Sequence, residues 1–192
     1  MNIGKTLTLT FVSLVVGVLI VGGCAYSGYK NVIGLDEAVK SQWAQVDNQL
    51  QRRFELVPNL VATVKGFAAH EQEVFESIAN ARAAYAGAQS TGQKAEAAGM
   101  FESALSRLLV IQERYPELRS NESFLKLQDS LEGTENRLAV ARMDYNEAVR
   151  AINARIRAVP GKWYASWAGV EQAEYFEAPQ QAREVPKVDF GG

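Results

Sequence analysis

Cysteine and histidine are almost missing: among 192 residues there is one of each, Cys24 and His70. A single cysteine excludes an intrachain disulfide. One of each excludes a zinc site built on several nitrogen and sulfur ligands. Any Ser-His-Asp or Cys-His arrangement would have to run through His70. Neither sign of charge dominates, with 20 Lys and Arg against 22 Asp and Glu and a formal net charge of −2, so there is no basic field to hold nucleic acid. No glycine-rich phosphate loop occurs; Gly133 stands without glycine neighbours. No stretch alternates with period two well enough to predict a strand. These shortages point away from an enzyme, a metal, a cofactor and a nucleic-acid partner.

What the chain does have is an apolar N-terminal run. From Leu7 to Val21 it reads LTLTFVSLVVGVLIV, followed by Gly22 and Gly23, and only Lys5 is charged before Lys30. A helix rises about 1.5 Å per residue, so roughly 18 residues cover about 27 Å, the short end of a transmembrane span and the long end of a signal-peptide core. Lys5 ahead of the run favours an outward-facing body. The run ends in Val21-Gly22-Gly23-Cys24, which resembles a bacterial lipoprotein cleavage site; there Cys24 would become the acylated N-terminus. The alternative is a small apolar side chain in an uncleaved span. Both readings anchor the chain in a membrane.

Beyond Cys24 the apolar residues fall three and four apart. Val39, Trp43, Val46, Leu50, Phe54, Val57, Val61, Val64 and Ala68 make one stripe. Phe124, Leu127, Leu131, Thr134, Leu138, Ala141, Tyr145, Ala148, Ile152, Arg155 and Val159 make another, with Ile156 adjacent. Val74, Ile78, Ala81 and Tyr85 form a shorter run, as do Phe101, Leu105, Leu108, Ile111 and Tyr115. Such spacing lines one face of a helix with a period of about 3.5–3.6 residues and suits coiled-coil-like packing. Breakers divide the runs: a small, polar stretch over 86–93 predicts a loop, Tyr115-Pro116 a helix end, and Ser120 or Asn121 an N-cap. The last long helix is expected to reach about Ala158 and stop at Pro160-Gly161. Pro58 predicts a bend in the first helix, and 66–70 a break. The fold expected is all-α: an elongated antiparallel bundle of four to five helices. It would occupy residues 25–178, behind a membrane-anchoring helix or lipoprotein signal over 1–24, with a polar, disordered tail over 179–192.

The run from Trp43 to Glu71, WAQVDNQLQRRFELVPNLVATVKGFAAHE, resembles the central block of LemA proteins. It includes Arg52, Arg53, Pro58, Asn59 and His70. Later pieces fit in order: Ala81-Arg82, Glu113-Arg114-Tyr115-Pro116, Thr134-Glu135-Asn136, Ala141-Arg142, Tyr145-Asn146, Asn153 and Tyr175-Phe176-Glu177. The resemblance covers about residues 29–178. Departures lie at Tyr29-Lys30-Asn31, at Glu55, at Val159-Pro160, and around Trp163 and Trp167. The resemblance implies a bacterial, membrane-anchored helical protein with no established activity; some members are encoded near membrane zinc metalloproteases.

The motif residues divide by chemistry. His70, Glu71 and Glu73 suggest metal or acid–base work, yet a zincin needs a second histidine four residues on, and Val74 stands there; a surface or capping cluster at a helix junction is the stronger reading. Glu73 and Glu76 lie three apart, the spacing of a solvated stripe. Arg52 and Arg53 point about 100° apart and cannot act as one clamp. They are expected to pair with Glu135 or Asp144, with an acidic partner or lipid headgroups as the alternative. Glu135, Arg142, Asn136, Asn146 and Asn153 are expected to form a polar ladder that sets helix register. Trp163, Tyr164, Trp167, Tyr175 and Phe176 suggest an interface patch, a membrane-surface contact or a cap on the bundle. The leading function is a non-enzymatic envelope scaffold held by the lipid bilayer, which assembles with itself or a membrane-protein partner. Alternatives are an adaptor of a membrane protease or stress system and, least, a metal-binding protein or enzyme.

Overall fold

A computed structural model describes the backbone of residues 3–177 and the side chains of residues 9–177. The tail expected over 179–192 lies outside the described residues. Among them there are six helices and no strand: α1 (Ile3–Lys65), α2 (Gln72–Gly87), α3 (Thr91–Arg114), α4 (Pro116–Arg119), α5 (Glu122–Arg157) and α6 (Gly161–Ala168). The protein is all-α as expected, with the short α4 and α6 added to the four long runs. The chain divides into two compact units, Met1–Ser41 with Glu147–Ala173 and Gln42–Asn146 with Glu174–Gly192.

The first unit begins with the apolar part of α1. From Leu9 onward this helix contains an 18-residue window of mean hydropathy 2.2, none of it buried. It is long and apolar enough to cross a membrane. The unit's own core is Val32, Val39, Val149, Ile152, Ile156, Tyr164 and Ala165. Helix α6, which the sequence reading did not foresee, is set between two breakers. At Gly161 a Cβ would strike the Arg155 carbonyl, so the start of α6 packs on the end of α5 only with glycine there. At the other end Gly169 takes φ 66°, and the Val170 N–H donates to the Ala165 carbonyl at 2.9 Å, a Schellman stop. Gly28 of α1 lies under the Tyr164 ring so closely that a Cβ would fall inside it.

The second unit is built from the C-terminal part of α1, then α2, α3, α4 and the N-terminal part of α5. Its largest fully buried side chains include Leu50, Leu60, Phe101, Leu108, Ile111, Leu118, Phe124 and Leu138; each such side chain contributes about 1.5–3 kcal/mol through its removal from water. Phe54 ties α1 to α2 and α3, its ring 4.6 Å from Tyr85 and 4.3 Å from Phe101. Helix α1 continues through Pro58 and ends at Lys65, and a turn over 66–71 supplies the expected break. The loop expected over 86–93 is shorter. Ser90 Oγ accepts from the Gln93 N–H at 3.2 Å, and Gln93 Oε1 accepts from the Ser90 N–H at 3.3 Å. That capping box starts α3 at Thr91 and makes α2 and α3 a tight hairpin. Asn121 Oδ1 accepts from the Phe124 N–H at 3.0 Å and caps α5.

Burial along α5 corrects the predicted stripe at its end. Phe124, Leu131, Leu138, Tyr145 and Ile152 are buried at intervals of seven, but the stripe then takes in Val149 and Ile156 while Val159 is 63% exposed. Helix α5 ends at Arg157, so Val159 lies beyond it in the turn before α6, where the helical stripe no longer applies.

Candidate functional site

The resemblance-bearing residues that the structure brings together lie in the second unit. Arg53, on the buried side of α1, has a side chain only 6% exposed. Its guanidinium pairs with Glu102 of α3 at 3.4 Å and with Glu135 of α5, while Arg142 of α5 also pairs with Glu102. Two arginines and two glutamates thus join three helices. Burial pulls Arg53 below the ordinary arginine range, and the charges of Glu135 and Glu102 oppose that pull. The expected Arg53–Glu135 pairing is present; Asp144 plays no part in it. Arg52, one residue away, faces solvent.

Six residues earlier on α1, Asp47 accepts from Tyr85 Oη and from Lys94 Nζ, the latter at 2.7 Å. Burial would raise the Asp47 carboxyl, but the hydrogen bonds from Lys94 and Tyr85 outweigh it and hold the group below its ordinary value. Burial and the Asp47 charge push the Tyr85 hydroxyl far up, so it stays a donor. Lys94 Nζ also lies 5.8 Å from the Trp43 ring and 5.4 Å from the Tyr85 ring, distances at which a cation is attracted to aromatic faces.

The remaining motif residues hold an extended segment that follows α6. Asn146 grips Phe176 by its backbone, Oδ1 accepting from the N–H at 2.9 Å and Nδ2 donating to the carbonyl at 3.0 Å. The Phe176 ring sits 4.6 Å from the Arg142 guanidinium and 6.2 Å from the Trp43 ring. Trp43 meets Tyr145 edge-on at 5.3 Å. Tyr145 Oη donates to the Glu174 carbonyl at 2.7 Å, and burial raises its hydroxyl above the ordinary tyrosine value. In the first unit Asn153 grips Ala173 the same way, with both bonds at 2.9 Å. The asparagines were expected to set register between helices; these two instead satisfy the backbone of a segment with no ladder of its own.

Elsewhere the motif disperses. Glu71 occupies the N-cap position of α2, and its carboxylate pairs with Arg114 at 2.9 Å. His70, Pro58, Asn59 and Pro116 are exposed, and Tyr115 is half-buried as the C-cap of α3. Asn136 borders a shallow groove of about 450 Å³ with Gln42, Gln45, Gln49 and Asp144. A wider open groove of about 1070 Å³ runs beside α2 and α3, with Asn80, Glu96, Ser103, Arg107 and Glu174 on its walls. Cys24 is exposed on α1. Among the described residues no three His, Cys, Asp or Glu side chains meet as a metal site.

Glu102, Asp47, Lys94 and Glu174 were missed from sequence. Two of them carried a signal. Asp47 stands four after Trp43 and three before Leu50, and Glu102 four after Ala98 and three before Leu105. An acid at such a position lies on the core edge of its helix and needs a cation there.

Together these features define a class: an all-α bundle with a paired ionic interior, whose first helix carries an exposed apolar stretch. A family model described as the LemA family matches residues 42–190. The chain belongs to the LemA family. Since the match runs to 190, most of the expected polar tail is part of the family pattern. The magnetosome proteins MamQ 1 and MamQ 2 of Paramagnetospirillum magneticum are each 26% identical over 175 residues, 78% of this chain and 64% of theirs. The magnetosome protein MamQ of Magnetospirillum gryphiswaldense is 25% identical over 174 residues, 77% of this chain and 64% of its own. The chain therefore spans 64% of the length of these relatives.

Proposed function

We propose that the protein is a membrane-anchored, non-enzymatic helical scaffold. The observation that carries this reading is α1: one helix holds an apolar stretch none of which is buried, and further on contributes the core residues of the bundle. Of the side chains a catalytic reading would draw on, Glu71 is held by Arg114, and the acids inside the bundle, Glu102 and Glu135, are paired with Arg53 and Arg142. The names of the MamQ relatives tie them to a cell structure and state no reaction. In this reading residues 1–24 are the anchor, and Lys5 ahead of the span sets the body on the outer side.

The test is the full chain in lipid nanodiscs, measured by mass photometry against concentration. Scaffolding predicts assemblies of more than one copy. A monomer at every concentration that co-purifies stoichiometrically with a membrane protease would replace it with the adaptor reading. Intact mass settles the chemistry of the anchor: cleavage before Cys24 removes 23 residues and adds acyl chains, whereas a permanent span leaves the unmodified mass.

A further inference from the structure

The geometry points to α6 as a second membrane contact: we propose that its exposed face, Trp163 and Trp167, docks on the anionic surface of the bilayer that holds the span. This rests on the anchored reading above and adds a surface, a ligand class and the residues that bind it.

The position of α6 follows from Gly28. The Tyr164 ring lies directly on that glycine, so α6 is seated on α1 four residues beyond Cys24. At about 1.5 Å per residue that is about 6 Å past the end of the apolar run. The headgroup layer on each side of a bilayer is about 5–7 Å deep, so α6 sits at its level. Lys30, two residues on, is the first charge after Lys5 and marks where the chain has left the hydrocarbon.

The chemistry of the exposed face fits that level. Tyr164 is turned inward and buried, whereas Trp163 is 57% and Trp167 67% exposed. They are four residues apart, hence on one face of α6. Tyr26, on α1 between Cys24 and Gly28, is also exposed. Tryptophan and tyrosine favour the membrane–water boundary because each joins an apolar ring to a polar handle.

The charge around them is predominantly positive, with exposed Glu171 and the Arg150-paired Glu147 at its edges. No Asp or Glu occurs from residue 1 to 35 or from 148 to 170, while Lys30, Arg150, Arg155, Arg157 and Lys162 all do. Lys30, Arg157 and Lys162 are exposed. A predominantly basic surface beside exposed aromatics fits anionic phospholipid and gives a zwitterionic surface much less to hold.

The test uses the full chain reconstituted into vesicles of phosphatidylcholine with or without phosphatidylglycerol, the phosphatidylcholine carrying bromine near the headgroup end of its acyl chains. The fluorescence of the pair is wild type minus Trp163→Phe/Trp167→Phe, which leaves Trp43 in place. The expected result is strong quenching of the pair by bromolipid and weak quenching by aqueous acrylamide. Lys162→Gln and Arg157→Gln should each lower the ratio of docked to undocked α6 about fivefold in anionic vesicles and change little in zwitterionic ones. Three results would overturn the proposal. If the chain floats with vesicles but acrylamide reaches the pair as freely as it reaches free indole, α6 faces water and the anchor alone stands. If the pair is shielded from acrylamide yet untouched by bromolipid, protein covers that face. If the chain does not float, the anchored reading fails first.

Discussion

In the bundle of residues 42–146 and 174–177, cations meet acids across helices: Arg53 and Arg142 face Glu102 and Glu135, Lys94 faces Asp47, and Arg114 faces Glu71. In the unit of residues 3–41 and 147–173 the ion pairs recorded are local ones along a helix, Lys40 with Asp36 and Glu37, and Arg150 with Glu147. Its core is apolar apart from Asn153, and Lys30, Arg157 and Lys162 pair with no acid among the described residues. The contrast follows from dielectric surroundings. A charge held inside a bundle is stable only if paired and hydrogen-bonded. An exposed charge is solvated by water and needs no protein partner.

The largest effect that separates the two kinds of charge is expected at Arg53 and Arg52. Arg53→Met removes the cation between two glutamates, and Glu102 retains Arg142 while Glu135 loses its partner. Breaking such a pair costs about 3 kcal/mol when buried; Glu135 is 42% exposed, so the expected loss is about 2–3 kcal/mol. Arg52→Met, on the solvent side, should stay within about 0.5 kcal/mol. Denaturant unfolding of the full chain in detergent measures both. Equal losses would mean that burial does not distinguish these neighbours.

The next effect tests the first unit by itself. Gly28→Leu forces Tyr164 off α1 at a cost of about 1–3 kcal/mol, typical of overpacking. Hydrogen exchange should show lost protection across α6 while α2 and α3 keep theirs. If α6 keeps its protection, the Gly28–Tyr164 seating is wrong.

The two asparagine clamps come third. Asn146→Ala leaves the Phe176 N–H and carbonyl without partners, and two lost hydrogen bonds at about 0.5–1.5 kcal/mol each predict a loss of about 1–2 kcal/mol after partial rehydration. Asn153→Ala should cost a similar amount through Ala173. Limited proteolysis should open residues 170–177 in either variant. Resistance in both would show that the aromatic contacts of Phe176 suffice without the amides.

The helices were legible because packing on one face imposes a three-four spacing that needs no partner to be seen. Phe54, Phe101, Phe124 and Leu138 could be placed in the core from that spacing alone. The family too was legible, from the block that holds Arg52, Arg53, Pro58 and Asn59. What was not legible depended on contacts between distant segments. Glu102 as the hub of two arginines requires α1, α3 and α5 together, separations of 49 and 40 residues. The grip of Asn146 on Phe176 joins a helix to a segment with no periodicity to announce it. Helix α6 escaped because eight residues are too few to show a period, and its bounds are set by Gly161 and Gly169. The choice of Leu60 over Val61 and Phe75 over Val74 for burial was open on spacing, since both fit a helical stripe.

The smallest expected effect is at Asp47 and depends on pH. Its carboxyl is held below the ordinary aspartate value, burial opposing and the hydrogen bonds from Lys94 and Tyr85 prevailing. For an acid whose folded pKa is depressed, the unfolded chain takes up a proton first as pH falls. The stabilisation is therefore complete above the unfolded value, near about 3.9, and is lost as pH drops through the lower folded value. The Asp47 side chain is 37% exposed, so solvent screening limits the contribution to below about 1 kcal/mol. Wild type should exceed Asp47→Asn in stability by a constant margin from neutral pH down to about 5, and the margin should shrink as pH falls below about 4. Lys126→Gln, which unpairs two exposed side chains, Lys126 and Glu122, serves as the surface control, with an effect near zero. Should the margin instead grow on acidification, the carboxyl is raised rather than lowered, and burial rather than Lys94 and Tyr85 governs its ionisation.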